Sequence, residues 1–325
     1  MSNFLVGTGS RMCFLKEKTF GTVESTKTSA SLINITSESL STAVEKGDEG
    51  NLLSSKTATN RDLMAITVSG SVSSILRPEF ADILLECTLG KSESVTDSSI
   101  PSGYSQKKYT LADAGGVLPS FSAFINRGGA GYKVYAGNTI GSLSIDATSN
   151  DYVKCSNDIT GHKELTTALT TSETTALDGK SYSKPSYRCT QAEMKVGGDV
   201  FDVETATVNI SNNLVDAPKT YSSGLYANQP QPDKREVTVS FTLPYTANMD
   251  TFRNTYLTSE ENVSLVLKFT TSDANEFIEI TLPNCAVTSC SNTVGGTGLI
   301  ETSCEAIALS VGSVEPITVL VQSKN

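Results

Sequence analysis

The sequence predicts an all-β protein, β-rich with short flanking helices. Three observations carry this. Thr, Ser, Val, Ile and Gly crowd the 325 residues while long runs of Leu, Ala, Glu and Lys are missing, a balance that favours strands. Apolar and small polar residues alternate at period two in residues 66–72 and again in 237–243, as in strands buried on one face. The length exceeds the roughly 250 to 300 residues at which single cores stop growing, so two tandem β-sandwich or barrel-forming domains are expected.

Taken in order, Ile66-Thr67-Val68-Ser69-Gly70-Ser71-Val72 is the first strand. Phe80, Ile83, Leu84 and Cys87 then fall at i, i+3, i+4 and i+7, on one face of a helix. Pro78 suits its first turn, where the missing N–H is not needed, and Gly90 can take the left-handed conformation that ends it. Residues 91–131 are polar and rich in Ser and Gly, and read as an extended loop carrying one strand around Phe121, Phe124 and Ile125. Residues 132–135 and 139–145 read as short strands flanking Ala136-Gly137-Asn138, with a further strand at 152–155 beyond a Ser-Asn-Asp turn.

From 161 to 185 the composition shifts to Thr, Ser, Glu, Lys and Gly without apolar periodicity, as in a connector between two cores. The expected division is a first domain over residues 1–160, a linker over 161–185 and a second domain over 186–325. In the second, Met249, Phe252 and Tyr256 share a face of a short helix at 248–257 that Asn248 can cap. Residues 277–287 read as strand, short break at Asn284, strand, and echo residues 132–140; residues 208–214 echo 33–40. These correspondences point to an internal duplication, with coincidence of similar β patterns as the alternative.

Composition excludes several functions. The net charge is −10 and no block of Lys or Arg forms a patch, so a grip on phosphate backbones is disfavoured. No apolar stretch approaches the roughly 20 residues of a membrane helix, and the first 20 residues lack a signal peptide's basic start and apolar block. A cytoplasmic site of synthesis is expected. The seven cysteines, Cys13, Cys87, Cys155, Cys189, Cys285, Cys290 and Cys304, include no CxxC pair. The zinc reading fails on spacing, leaving small buried hydrophobes, or a disulfide formed after lysis.

Catalytic signatures are missing as well. The only histidine, His162, lies in the expected linker, where a solvated surface role is the simplest reading. No GxSxG, GxxxxGK[ST] or GxGxxG scaffold occurs, and Gly295-Gly296-Thr297-Gly298 reads as a hairpin turn. The absence of Trp weighs against a carbohydrate platform, and the sequons at Asn34, Asn209 and Asn262 have no meaning without export. No catalytic, cofactor-binding or metal-ligating residue is assigned, no cofactor is expected, and the protein is read as non-enzymatic. A hydrolase with dispersed carboxylates stays open as an alternative, since such a pair depends on separation in space.

Glu17-Lys18-Thr19-Phe20-Gly21-Thr22, followed by Ile33-Asn34-Ile35-Thr36-Ser37-Glu38-Ser39-Leu40, resembles the opening of phage tail tube proteins. Val68-Ser69-Gly70-Ser71-Val72, Arg77-Pro78-Glu79-Phe80 with its helix ending Leu89-Gly90, and residues 134–145 resemble that family's strand, helix and strand in order. The resemblance implies a structural virion protein of the tail, assembled in the host bacterial cytoplasm into stacked homo-oligomeric rings whose inner sheets join around a channel. It implies the tape measure and terminator proteins as partners, and double-stranded DNA only in transit, with no membrane. Two domains per chain favour a trimer with pseudo-sixfold symmetry over a hexamer. Residues 41–51, with the charged run Glu45-Lys46-Gly47-Asp48-Glu49, and residues 216–235 are candidate loops between rings. Another β-sandwich virion or surface interaction protein is the alternative.

Overall fold

Period-two alternation makes strands wherever one side of the chain can be buried, and this chain does so throughout. The computed structural model describes residues 4–48, 61–113, 115–259, 261–294, 297 and 299–325, without the side chains of Ala247 and Asn248. The first half holds β1 (Arg11–Lys16), β2 (Ser31–Ile33), β3 (Ile35–Glu38), β4 (Ser41–Gly47), β5 (Asp62–Ile75) and the helix α1 (Pro78–Leu89). β6 (Gly90–Val95), β7 (Tyr104–Leu111), β8 (Phe121–Asn126), β9 (Tyr132–Thr148), β10 (Lys154–Gly161) and β11 (Lys163–Leu165) follow.

After α2 (Thr171–Asp178) come β12 (Arg188–Val196), β13 (Asp199–Phe201), β14 (Thr205–Ser211), the short β15 (Leu214–Val215) and β16 (Gln231–Pro232), and β17 (Glu236–Pro244). The helix α3 (Ala247–Phe252) runs into a π turn, and β18 (Val263–Thr270), β19 (Phe277–Thr293), β20 (Glu301–Ala308) and β21 (Thr318–Lys324) close the chain.

Each half repeats one arrangement. In the first, β3 and β4 pair with β5, β5 with β10, and β10 with the C-terminal part of β9. In the second, β14 pairs with β17, β17 with β20, and β20 with the C-terminal part of β19, all antiparallel. The N-terminal parts of β9 and β19 enter a second layer. There β2, β1, β8, β9 and β11 lie side by side, as β13, β12, β18, β19 and β21 do in the second half. Even the irregularities match: Gly141 bulges out of β9 between the pairs Ser142–Asp158 and Ile140–Ile159, and Thr288 out of β19 between Ser289–Glu305 and Val287–Ala306. The halves join edge to edge through β9 and β14, from Ser142 opposite Ser211 to Thr148 opposite Thr205.

The core lies between the layers and takes in one helix from each half. Phe80, Ile83, Leu84 and Cys87 are all buried, and Gly90 ends α1 at φ 93°, where glycine carries no Cβ penalty. Met249 and Phe252 bury the matching face of α3. The N-cap of α3 is Thr246 rather than Asn248. The hairpin of β6 and β7 adds to β21, extending the second half's outer layer with first-half strands.

One buried carboxylate pins the first half. Glu17 is 5% exposed and accepts from the amides of Gly21 and Gly137 and from the hydroxyls of Ser120 and Ser122, at 2.6 to 2.9 Å. Gly137 sits at φ 68°, and a Cβ there would meet His162 Cβ at 2.5 Å. The residue that resembled a turn is therefore a bulge inside one 17-residue strand, β9.

Several other expectations change. Residues 277–287 form part of one continuous strand, β19. Residues 91–131 hold β6 and β7 besides β8, because their polar positions pair on an exposed surface. Residues 161–185 carry β11 and α2; the capping box of Thr170 and Glu173 starts α2, and Leu177 is buried against Cys13, Leu15, Phe124 and Val134. Cys13, Cys87, Cys155 and Cys285 are buried free thiols and Cys189 is half-buried. Burial pushes Cys155 and Cys285 up to about 12, so neither is a thiolate at neutral pH. Cys290 and Cys304 face each other across β19 and β20 and are joined as a disulfide. The glycine run at 295–298 lies outside the described residues apart from Thr297.

Two substitutions in α1 test its packing. Leu84, 2% exposed, should lose on the order of 4 kcal/mol or more as Leu84→Asp, which buries an unpaired charge. Glu86→Lys removes a surface ion pair with Lys16 and a surface hydrogen bond from Ser92, each worth about 0 to 1 kcal/mol; equal urea midpoints for the two variants would refute the assigned face. Glu17→Ala orphans four donors and should cost on the order of 3 to 5 kcal/mol. A chemical melt unchanged by Glu17→Ala would remove Glu17 from its central role.

Candidate functional site

The two sets, in which β3 and β4 share one position beside β5, form one sheet of eight strand positions whose faces differ in chemistry. Val68, Val72, Ile145, Ile159, Val208, Ile210, Val239 and Phe241 point into the core. Alternation then puts Ser71, Ser73, Ser142, Ser144, Ser156, Thr207, Asn209, Thr238, Ser240 and Ser303 on the opposite face. Neighbouring hydroxyls and carboxylates bond across strands: Ser142 Oγ donates to Asp158 at 2.7 Å, Thr207 Oγ1 to Asp146 at 2.9 Å and Ser289 Oγ to Glu305 at 3.3 Å. Ser73 and Ser156 meet at 3.3 Å, and Thr242 and Ser303 at 3.2 Å. The charged side chains along the middle of this face are Asp146, Asp158, Glu236, Glu301 and Glu305 against Lys154, with Glu45 and Lys46 at the far end of β4. Lys154 is itself neutralised by Asp151 at 2.6 Å. The face is a hydroxyl-lined, acidic wall.

The wall ends in two edges. β18 accompanies β19 only as far as Cys285, so among the described residues the flank of 288–293 facing away from β20 carries no strand. At the other end β3 and β4 pair only with β5. That edge is protected at one point: the Leu40 amide donates to Glu38 Oε2 at 3.2 Å, and Arg127 Nη2 donates to the Leu40 carbonyl at 2.7 Å. Side-chain capping of this kind is one way sheets discourage random edge pairing.

His162 is not a solvated side chain. It packs between Phe20 and Tyr226, at ring distances of 5.1 and 5.3 Å, and its Nδ1 lies 2.8 Å from the Ala227 carbonyl. It holds residues 214–230 of the second half against the first. In the same contact the Ile66 amide donates to the Leu225 carbonyl at 2.9 Å, and Gln229 Nε2 donates to the Leu118 carbonyl at 2.8 Å. The expected loop at 216–235 is thus packed on its own chain, and that at 41–51 begins as the strand β4; residues 49–51 lie outside the described residues. No group of three or more metal-ligating side chains occurs among the described residues, and no described helix is long and apolar enough to cross a membrane.

The edges of the sheet have no signal in the sequence. Strand polarity was visible there, but which strands end the sheet depends on pairings between residues far apart. A family model described as phage tail tube protein matches residues 7–308. No curated protein matches the chain.

In the unassembled chain, hydrogen exchange should separate the finished joint from the open edge. Residues 142–146, paired with β10 on one flank and β14 on the other, should exchange slowly throughout, whereas alternate amides of 289–293 should exchange rapidly. Uniform slow exchange across 289–293 would mean that this edge is already covered.

Proposed function

The chain belongs to the phage tail tube protein family, and from that premise we propose that three copies close a ring with pseudo-sixfold symmetry that stacks into the tube. It is a structural protein of the virion tail. The observation that carries the ring is the repeated strand order of the two halves, joined through β9 and β14. If that joint recurs between copies, β19 of one copy meets β3 and β4 of the next, and no edge is left inside the ring. Cyclic closure of like subunits, with a head-to-tail contact between rings, then builds a tube.

In this reading the hydroxyl-lined face becomes the channel wall. Carboxylates repel phosphate while Ser and Thr offer short, neutral hydrogen-bonding groups, so double-stranded DNA passes without the grip that Lys and Arg would give. The tape measure protein is the expected occupant before ejection, the terminator the expected partner at the tube end, and assembly takes place in the host cytoplasm. No catalytic step is assigned.

Negative-stain microscopy of concentrated protein should show rings or tubes, and averaged end views should show six similar lobes. Mass measurement should give three chains per ring. Six full-length chains per ring would refute the trimer, and a chain that stays monomeric under all conditions would count against the tube.

A further inference from the structure

The two halves present the same surface, covered in one and open in the other. In the first half, Ile66, Thr67 and Val68 of β5 with Thr160 and Gly161 of β10 form a recess of about 220 Å³ beneath residues 214–230. The second-half counterparts follow from the strand pairing: Ser69 faces Thr160 as Thr238 faces Ile307. Arg235, Glu236 and Val237 therefore take the places of residues 66–68, and Ile307 and Ala308 those of 160–161. Those residues line an open groove of about 870 Å³ together with Leu309, Pro316 and, from the first half, Leu111, Ala112 and Asp113.

The covering arm also has a counterpart. In the second half it grows from the β15–β16 hairpin, where Leu214 faces Pro232 and Val215 faces Gln231. In the first half β4 and β5 continue in the same way, with Lys46 facing Leu63 and Gly47 facing Asp62. This hairpin exposes apolar side chains, Val44 at 50%, Leu63 at 42% and Met64 at 51%. Leu309 in the groove is 38% exposed, and Val311 and Val314 beyond it are exposed as well. Isolated apolar residues on a surface are ordinary, but matched sets on two surfaces mark an interface.

We infer that the groove at residues 235–237 and 307–309 is the seat of the β4–β5 hairpin of a second copy of this chain, and that β4 of that copy adds to β19. The inference rests on the ring reading and assigns its contact. The internal joint sets the register. Ser144 faces Asn209 there, and the shared bulges at Gly141 and Thr288 make Ser291 the counterpart of Ser144 and Ser41 that of Asn209. Ser291 of one copy thus faces Ser41 of the next. Strand addition of this kind draws affinity from main-chain bonds and selectivity from the pocket beside them. At Leu40 the backbone exchanges its Glu38 and Arg127 caps for the edge of β19.

The test mixes Ser41→Cys chains with Ser291→Cys chains under mild oxidation, with microscopy of the same samples. A disulfide-joined pair is expected, and none when Ser240→Cys, in the middle of the wall, replaces Ser291→Cys. Leu309→Arg in the Ser291→Cys chain should cut the yield about tenfold with an unchanged melt; Ser310→Arg serves if Leu309→Arg lowers the melt. Absence of the joined pair, or a yield indifferent to both groove variants, overturns the docking. Tubes without the joined pair would sink this contact and leave the tube reading standing; joined pairs without tubes would do the reverse, and neither would sink both.

Discussion

A β-strand carries a row of amides and carbonyls on each flank, and both rows need partners or water. The long strands β9 and β19 show how far this demand shapes the molecule. β9 satisfies it by serving two layers, taking β8 and β11 along its first part and β10 and β14 along its second. β19 repeats the plan with β18 and β21, then β20. Beyond Cys285 its last flank has no counterpart to β14 among the described residues. What the first half completes internally, the proposed ring would complete for the second half with another copy.

Alternation ties the wall to the core. A strand that buries Ile145 and Ala147 must present Ser144, Asp146 and Thr148 on the other side. Ser and Thr suit such a face because a hydroxyl can donate to a neighbouring strand and still accept from water. The carboxylates at 146 and 158 are held by Thr207 and Ser142, so the negative charge sits in a fixed lattice of short side chains. A wall of long flexible cations would instead attract and grip phosphates.

Much of this was legible in the sequence. Helical spacing marked α1 and its buried face, and period two marked β5 and β17, because those signals are local. The long strand β9 was read as two because Ala136-Gly137-Asn138 has the composition of a turn. Its glycine does adopt positive φ, but its amide bonds to Glu17, 120 residues away, and turns the conformation into a bulge. Helix α2 escaped notice because its stability comes from a capping box and one buried leucine rather than an apolar stripe. The open edges had no local signal at all, since an edge is defined by the strand that is missing.

The duplication also constrains any ring the chain can form. The joint between β9 and β14 fixes one rotation between successive β units. If the joint between copies repeats it, every step around the ring turns by the same angle, and closure depends on that angle alone. Each chain contributes two units, so any ring of whole chains holds an even number of them. The β6–β7 hairpin and α2, which have no counterparts among the described residues of the second half, lie on the outer layer and leave the wall strands equivalent. Departures from exact repetition are thereby confined to positions where they do not disturb the angle of the joint.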